Sequence, residues 1–288
     1  MDNLIKVSVC MITYGHEKFI EQAVNGILMQ ETDFEVELII SDDCSPDDTS
    51  AVVEKILKNH PKSSCIRYLK REKNLGILKN LELALNAGKG EYVAFCDGDD
   101  YWIDPLKLQK QVDFLDNHKQ YVACGCDVDV LHHGKLEVTQ PPYLEASYSQ
   151  MEVGYGHGFP TVTAVFRNLD FTPFFQYEPL VGDLELYLYL SQFGDFKKLP
   201  FVGAVYRYHG SGAVSGNDPY TNKKSFIKAK LKFNKTFKFF PKELYKQHIK
   251  KQIKAELYRI PKDILKGRKG FGNSVDYILF CIKQYRSF

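Results

Sequence analysis

The sequence predicts an α/β protein built on a mostly parallel, doubly wound central sheet. Three observations carry this expectation. Apolar, β-rich runs alternate with runs at helical spacing through the first 125 residues. Each run has strand or helix length, and acidic residues gather where two of the β-rich runs end. Such alternation builds βαβ units, whose crossovers cover both faces of a parallel sheet. In sheets of this kind, ligands bind outside the carboxyl ends of the strands.

Taken in order, residues 6–12 form the first strand, and residues 17–30 a helix with Phe19, Ile20, Ala23, Val24, Ile27 and Leu28 on one stripe. Residues 36–41 are a second strand ending in Asp42-Asp43. Asp47-Asp48-Thr49 opens the next helix, with acidic groups suited to its first turn. A strand over 65–69, a helix over 77–87 and a strand over 91–96 follow, the last running into Asp97-Gly98-Asp99-Asp100. A helix starts after Pro105. From about 121 to 208 shorter strands surround one clear helix over 183–193, and His132-His133-Gly134 reads as a hairpin turn. Beyond Pro219 come basic, aromatic helices broken at Pro241, Pro261 and the glycines between 267 and 272. The expected organisation is a body over 1–220, with halves at about 1–120 and 121–220, and a helical C-terminal region over 221–288.

Composition narrows the function. The chain has 288 residues, 44% of them hydrophobic, enough for one large core. Seven irregularly spaced cysteines suit free thiols in a reducing compartment, and Cys124 and Cys126 lack the second pair that a zinc site needs. No run approaches the roughly 18 apolar residues of a membrane span, and residues 7–14 read as a buried strand, not a signal peptide. The net charge of +2 hides an asymmetry: from residue 221 on, 19 Lys and Arg oppose 4 Asp and Glu, a surplus of +15 that leaves −13 on residues 1–220. That basic tail, interleaved with Phe226, Leu231, Phe233, Phe237, Phe239 and Phe240, suits helices packed on the body or resting on an anionic membrane surface. It contains no recognised nucleic-acid module, and no nucleic-acid partner is expected.

Two clusters of aspartates at strand ends need a reason, because like charges held together repel. A divalent cation supplies one: Mn²⁺ or Mg²⁺ takes a carboxylate or two plus the phosphates of a substrate. The Asp97-x-Asp99 tripeptide suits that use, and it is equally compatible with a solvated acidic turn. The dinucleotide fingerprint is absent, since the first strand ends in Thr13-Tyr14-Gly15-His16. Gly154-Tyr-Gly-His-Gly158 lacks the strand-to-helix setting of a phosphate loop.

The segments Val7-Ser-Val-Cys-Met-Ile-Thr-Tyr14, Ser41-Asp-Asp-Cys-Ser-Pro-Asp-Asp-Thr49, Asn74-Leu-Gly-Ile-Leu-Lys-Asn80, Gly90-Glu-Tyr-Val-Ala-Phe-Cys-Asp-Gly-Asp-Asp100 and Tyr206-Arg-Tyr-His-Gly-Ser-Gly-Ala-Val-Ser215 stand in an order that resembles the inverting family 2 glycosyltransferases. The resemblance spans about residues 5–216 and implies the GT-A fold, a Rossmann-like α/β/α arrangement. It implies transfer of a sugar, commonly from a UDP-sugar, to an acceptor hydroxyl, with a divalent metal, Mn²⁺ or Mg²⁺. It further implies that Thr13 and Tyr14 line the base, that Asp43 beside Asp42 accepts a hydrogen bond from it, and that Lys79 approaches the nucleotide. Asp97 would reach the ribose, Asp99 would bind the metal, His209 would be a further ligand, and Asp100 would brace the loop. Asp183, in Val181-Gly-Asp-Leu-Glu-Leu-Tyr187, would be the general base, equally well placed to cap its helix. Glu185 is a weaker candidate, and Thr161 and Thr163 are expected near the acceptor. The departures are Cys44 where Gly is common and Gly15 where Asn is common.

The family's range implies surface-polysaccharide synthesis, a glycan or lipid-linked glycan acceptor, and a cytoplasmic enzyme peripheral to the membrane. Two other readings compete. A sugar-1-phosphate nucleotidyltransferase shares the fold, but brings a glycine-rich basic loop after the first strand that Gly15-His16-Glu17-Lys18 is not. An inactive nucleotide- or membrane-binding scaffold would have little use for Asp99, Asp183 and His209.

Overall fold

The first strand sends Val7, Val9 and Met11 into one apolar cluster and Cys10 into another. That two-residue period, on a strand covered from both sides, is what a three-layer arrangement requires. The computed structural model describes residues 4–132, 134–209, 218–238, 241–265 and 271–286. Along the chain run β1 (Ile5–Thr13), α1 (Ile20–Leu28), β2 (Glu35–Asp42), α2 (Thr49–Asn59), β3 (Ile66–Lys70), α3 (Ile77–Ala87), β4 (Tyr92–Phe95), β5 (Tyr101–Trp102) and α4 (Lys107–Asn117). The second half contributes β6 (Tyr121–His132), β7 (Lys135–Glu137), β8 (Ala146–Tyr148), α5 (Gln150–Tyr155), β9 (Val165–Arg167), α6 (Thr172–Gln176), α7 (Asp183–Leu190) and β10 (Asp195–Tyr208). Three helices close it: α8 (Pro219–Phe237), α9 (Lys242–Leu265) and α10 (Phe271–Arg286).

One sheet joins all ten strands in the order β3-β2-β1-β4-β9-β6-β10-β5, with β7 on β6 and β8 on β10. Strands β3, β2, β1 and β4 are mutually parallel, as are β6 and β10. Strand β9 runs antiparallel to both β4 and β6 and so stitches the two parallel sets together. The α/β expectation holds, as a mixed sheet that is mostly parallel. One apolar cluster lies under α1, α2 and α4; the other lies under α3 and α7. The latter also takes in Tyr220, Ile227 and Phe233 of α8, Tyr245, Ile249 and Ile253 of α9, and Tyr277 and Cys281 of α10. The basic C-terminal helices therefore bury an apolar side against the body.

One expectation is corrected in that region. Pro261 does not end a helix: α9 continues to Leu265. Of the glycine-rich stretch, residues 266–270 lie outside those described, while Gly272 sits within the first turn of α10. Phe239, Phe240 and residues 210–215 also lie outside the described set, as does His133 of the expected hairpin turn.

The segment that leaves β4 is fixed from below. The Trp102 indole N–H donates to the Val162 carbonyl at 2.8 Å, and Ile103 N–H to Gly203 O at 3.0 Å. Lys107, fully buried, lays its ammonium 3.9 Å from the Trp102 ring centre, with no hydrogen-bond partner among the described residues. Burial pulls its pKa down to about 8. Against roughly 10.4 in an unfolded chain, that displacement corresponds to about 3 kcal/mol, of which a desolvated cation–π contact returns about 2. Between those two values the unfolded chain binds more protons, so this group makes stability rise with pH there. Lys107→Met should stabilise the protein by about 1 kcal/mol at pH 7, with the gain shrinking toward pH 10. Urea unfolding at the two pH values measures it.

Candidate active site

Acidic groups from both halves of the chain share one electrostatic neighbourhood near the carboxyl ends of β1 and β4. Cys96 to Asp100 leave β4 in a tight turn in which Asp100 N–H donates to Asp97 O at 3.1 Å and Gly98 N–H to Ile12 O at 3.0 Å. A side chain on Gly98 would strike the Thr13 hydroxyl at 2.6 Å and the His16 ring at 2.8 Å, so the middle residue of the tripeptide has to be glycine. Asp97 is half-buried and its pKa lies well above the carboxylate range, first through burial, then through Asp99, then through Asp183. The last cause brings Asp183, 86 residues further along the chain, into the same electrostatic neighbourhood.

Asp183 opens α7 directly after Gly182, whose φ of +88° a side chain would oppose. Its carboxylate accepts from Leu184 N–H at 2.7 Å and from the Thr161 hydroxyl at 3.5 Å. The residue is open to solvent yet crowded by protein atoms, as a group in a cleft is, and that burial raises its pKa. Tyr187 stands close by, its hydroxyl donating to Phe159 O at 3.2 Å. The structure thus joins Thr161, Asp183 and Tyr187 on one side, and Asp97 and Asp99 on the other.

Asp99 meets His209 at 3.0 Å and His16 at 3.8 Å. His16 is fixed through its other nitrogen, 3.1 Å from the Thr13 hydroxyl, and burial lowers its pKa against the opposing pull of Asp99. Arg207 locks the turn. Its backbone N–H donates to the Asp100 carboxylate at 2.7 Å and its guanidinium to Asp99 O at 2.5 Å, while a second nitrogen reaches Gln22 of α1. The guanidinium lies 4.4 Å from the Tyr101 ring centre and 5.1 Å from that of Phe19, which also packs on His209 and His16. The Asp100 pKa is held high, by burial first and Asp99 second, despite the bond from Arg207.

The remaining residues singled out from the sequence fall into two groups. Tyr14 is exposed at the end of β1, while Thr13 is buried behind it. Asp42 is buried, accepting from Ser45 through one oxygen and from the Tyr68 hydroxyl at 2.7 Å through the other. Asp43 gathers Leu75 N–H at 2.7 Å and Gly76 N–H at 2.9 Å, which ties the start of α3 to the second strand. Lys79 is not brought to the carboxylates: its ammonium pairs with Glu82 at 2.6 Å and faces Thr172, Phe175 and Gln176. Thr163 and Glu185, expected beside an acceptor, are instead fully buried. Thr163 bonds Pro160 O and Cys126, and Glu185 closes the loop before α7, so neither presents a group to the cleft.

Three residues that the motifs did not mark belong here. Arg207 and His16 have been described. Arg71 donates its backbone N–H to Asp42 O at 3.0 Å and one guanidinium nitrogen to the Ser41 hydroxyl at 3.2 Å, while its buried Nε has no hydrogen-bond partner among the described residues. One signal was available for Arg207: it stands two residues before His209 at the end of a strand, hence on the same face.

Carboxylate oxygens with imidazole nitrogens are donors a Mn²⁺ or Mg²⁺ ion accepts, and the repulsion among Asp97, Asp99 and Asp183 is what a cation relieves. Among the described residues, no three His, Cys, Asp or Glu side chains are set to hold an ion by themselves. The donor set fits a metal that takes part of its shell from elsewhere.

A sheet of this order with its acidic groups at the strand ends is that of the GT-A transferases, and solved structures agree. Staphylococcus aureus TarS 1–349 in complex with UDP-GlcNAc superposes with a TM-score of 0.60 at 20% identity, over 98% of this chain and 92% of that one. The mannosyltransferase PcManGT of Pyrobaculum calidifontis, in complex with GDP-Man and Mn²⁺, gives 0.60 at 14%, over 98% and 87%. Residues 8–158 match the model of glycosyl transferase family 2, more than half of the chain, and the chain belongs to that family. An uncharacterized protein of Mycobacterium tuberculosis is 33% identical over 225 residues, 76% of this chain, which spans 63% of that relative's length. Escherichia coli WfaP, named a UDP-Glc:alpha-D-GlcNAc-diphosphoundecaprenol beta-1,3-glucosyltransferase, is 35% identical over 117 residues, 41% of this chain and 44% of its own.

Arg207→Met should loosen the Asp97–Asp100 turn by removing its buried cation. The expected cost is about 2–4 kcal/mol, read as a lower urea midpoint at unchanged m-value.

Proposed function

We propose that this protein transfers a glycosyl group from a nucleoside-diphospho-sugar, a UDP-sugar foremost, to an acceptor hydroxyl with inversion at the anomeric carbon. The observation that carries the reading is the electrostatic proximity of Asp183 to Asp97, beside Asp99, in a chain of glycosyl transferase family 2. Tyr14 would stack on the base. Asp43 would accept from it through the lone pairs its two backbone bonds leave, and Arg71, held beside Ser41 and Asp42, would take the place given to Lys79 as the basic group near the nucleotide. Asp97 would reach the ribose.

Asp99 and His209 would hold Mn²⁺ or Mg²⁺, which when bound neutralises charge on the leaving diphosphate. The acceptor oxygen attacks the anomeric carbon from the side of Asp183, and its proton passes to that carboxylate as the bond to the diphosphate breaks. Burial that raises the Asp183 pKa makes it a better proton acceptor than an exposed aspartate. Thr161, 3.5 Å away, orients the carboxylate.

The acceptor we propose is a glycan, free or carried on lipid, at an anionic membrane surface reached through the basic C-terminal helices. The +15 surplus from residue 221 on supports it, each Lys or Arg near such a surface contributing about 1 kcal/mol. No helix among the described residues is long and apolar enough to cross a membrane, so contact would be peripheral.

Asp183→Asn keeps the shape and removes the basicity. Turnover should fall about 10²-fold or more while UDP affinity stays within twofold, as calorimetry and UDP release report. Asp99→Ala, or excess chelator, should abolish both transfer and metal-dependent UDP binding; full activity in either condition sinks the metal-assisted mechanism. Vesicle cosedimentation should show binding to anionic but not neutral lipid, reversed as salt shortens the screening length to about 3 Å at 1 M.

A further inference from the structure

We infer that the C-terminal helix α8 sets the aim of Asp183 through Tyr177 and Glu185, making these two positioning residues of the reaction. The inference rests on the reading of Asp183 as the base.

Glu185 is fully buried one turn into α7. One of its oxygens accepts both Leu180 N–H at 2.6 Å and Val181 N–H at 2.7 Å, and the other accepts the Tyr177 hydroxyl. A single carboxylate thus folds the loop before α7 back onto the helix's first turn. Gly182, the residue between that loop and Asp183, is at φ +88°, a turn open to glycine, whose many accessible conformations the bonds on its two flanks narrow to one. The direction in which the Asp183 carboxylate leaves the helix is therefore decided by the bonds of Glu185.

What anchors the loop from outside is α8. The Tyr177 hydroxyl also lies 3.4 Å from Ala229 O, and the ring packs 5.6 Å from Phe233 and 5.3 Å from Phe237. Lys232 donates to Glu178 O at 2.5 Å and holds its ammonium 4.5 Å from the Tyr177 ring centre. Ala229, Lys232, Phe233 and Phe237 recur at helical spacing, so one face of α8 grips the loop. The basic C-terminal segment is then part of the machinery for proton removal, and whatever shifts α8 along the body reaches Asp183.

The test is a double-mutant cycle on the full chain. It reads UDP release from UDP-GlcNAc and UDP-glucose, with water in the acceptor's place, together with the UDP dissociation constant. Tyr177→Phe and Lys232→Met should each lower kcat about tenfold and leave UDP affinity within twofold. In the Asp183→Asn background the same substitutions should change kcat by less than twofold, because the group they aim is gone. A tenfold loss that persists in that background shows a role in structure alone and overturns the inference, as does wild-type kcat in both single variants. Should Tyr177→Phe fold poorly, Lys232→Met, which changes a side chain at the edge of α8, decides alone. If Asp183→Asn turns over at the wild-type rate, or the wild type releases no UDP from either donor, it is the transferase reading that fails, before the cycle is drawn.

Discussion

Asp97 feels the charge of two further carboxylates, Asp99 beside it and Asp183 from a distant part of the chain, and holding them near one another opposes their repulsion. Two unit charges about 4 Å apart at an effective dielectric near 20 repel by about 4 kcal/mol, a sizeable share of the stability of any domain. The molecule answers in two ways. Asp97 keeps its proton more tightly than an ordinary aspartate, which removes one charge when the cleft is empty. The backbone around the cluster is then tied from several directions at once: by Gly98 N–H to Ile12 O, by Arg207 to Asp99 and Asp100, and by Leu184 to Asp183. Much of the local structure reads as scaffolding against that repulsion.

The same logic explains why α1 and β10, distant in sequence, meet at the cluster. Gln22 and Phe19 of the α1 region accept and flank the Arg207 guanidinium, and His209 packs on Phe19 at 5.1 Å. An arginine placed there carries positive charge to the acidic turn without entering the cleft, since its nitrogens are spent on a backbone carbonyl and an amide side chain. It steadies the turn and leaves the carboxylate oxygens of Asp99 to the histidines and to ligand.

The parallel half of the fold was legible because its strands and helices each follow one period. Residues 77–87 were expected and found as a helix with the same limits, and β1, β2, β3 and β4 differ from expectation by a residue or two at their ends. Beyond residue 121 the expectation of shorter strands failed for β6 and β10, which at 12 and 14 residues are the longest described, while β9, three residues long, carries no period to detect. Its place between β4 and β6 is decided by pairing across the sheet, which local sequence does not encode. In the site, residues proposed to act on ligand were easiest to see, as at Asp97 and Asp99. Those that act on other residues were not: Arg207 looks like any strand-end arginine until Asp100 is seen beneath it, and Glu185 looks like a solvent-facing acid until Leu180, Val181 and Tyr177 converge on it. Burial decides such cases, and burial is a property of the whole fold.

The ends of the sheet bear on how copies of this protein meet. At one end β3 is five residues long, with Arg67 drawn to Glu37 at 3.2 Å and Lys70 held near Glu54 and Ser50 of α2. At the other, β5 offers two residues. A strand rim invites a neighbouring chain to continue the ladder when it is long, flat and uncharged. Here one rim is short and studded with cations, the other stops before a register can be established, and β7 and β8, which branch from the sheet, are three residues each. A sheet of ten strands is thereby kept from becoming the seed of an endless one, and crowding at high concentration would have to act through side-chain surfaces.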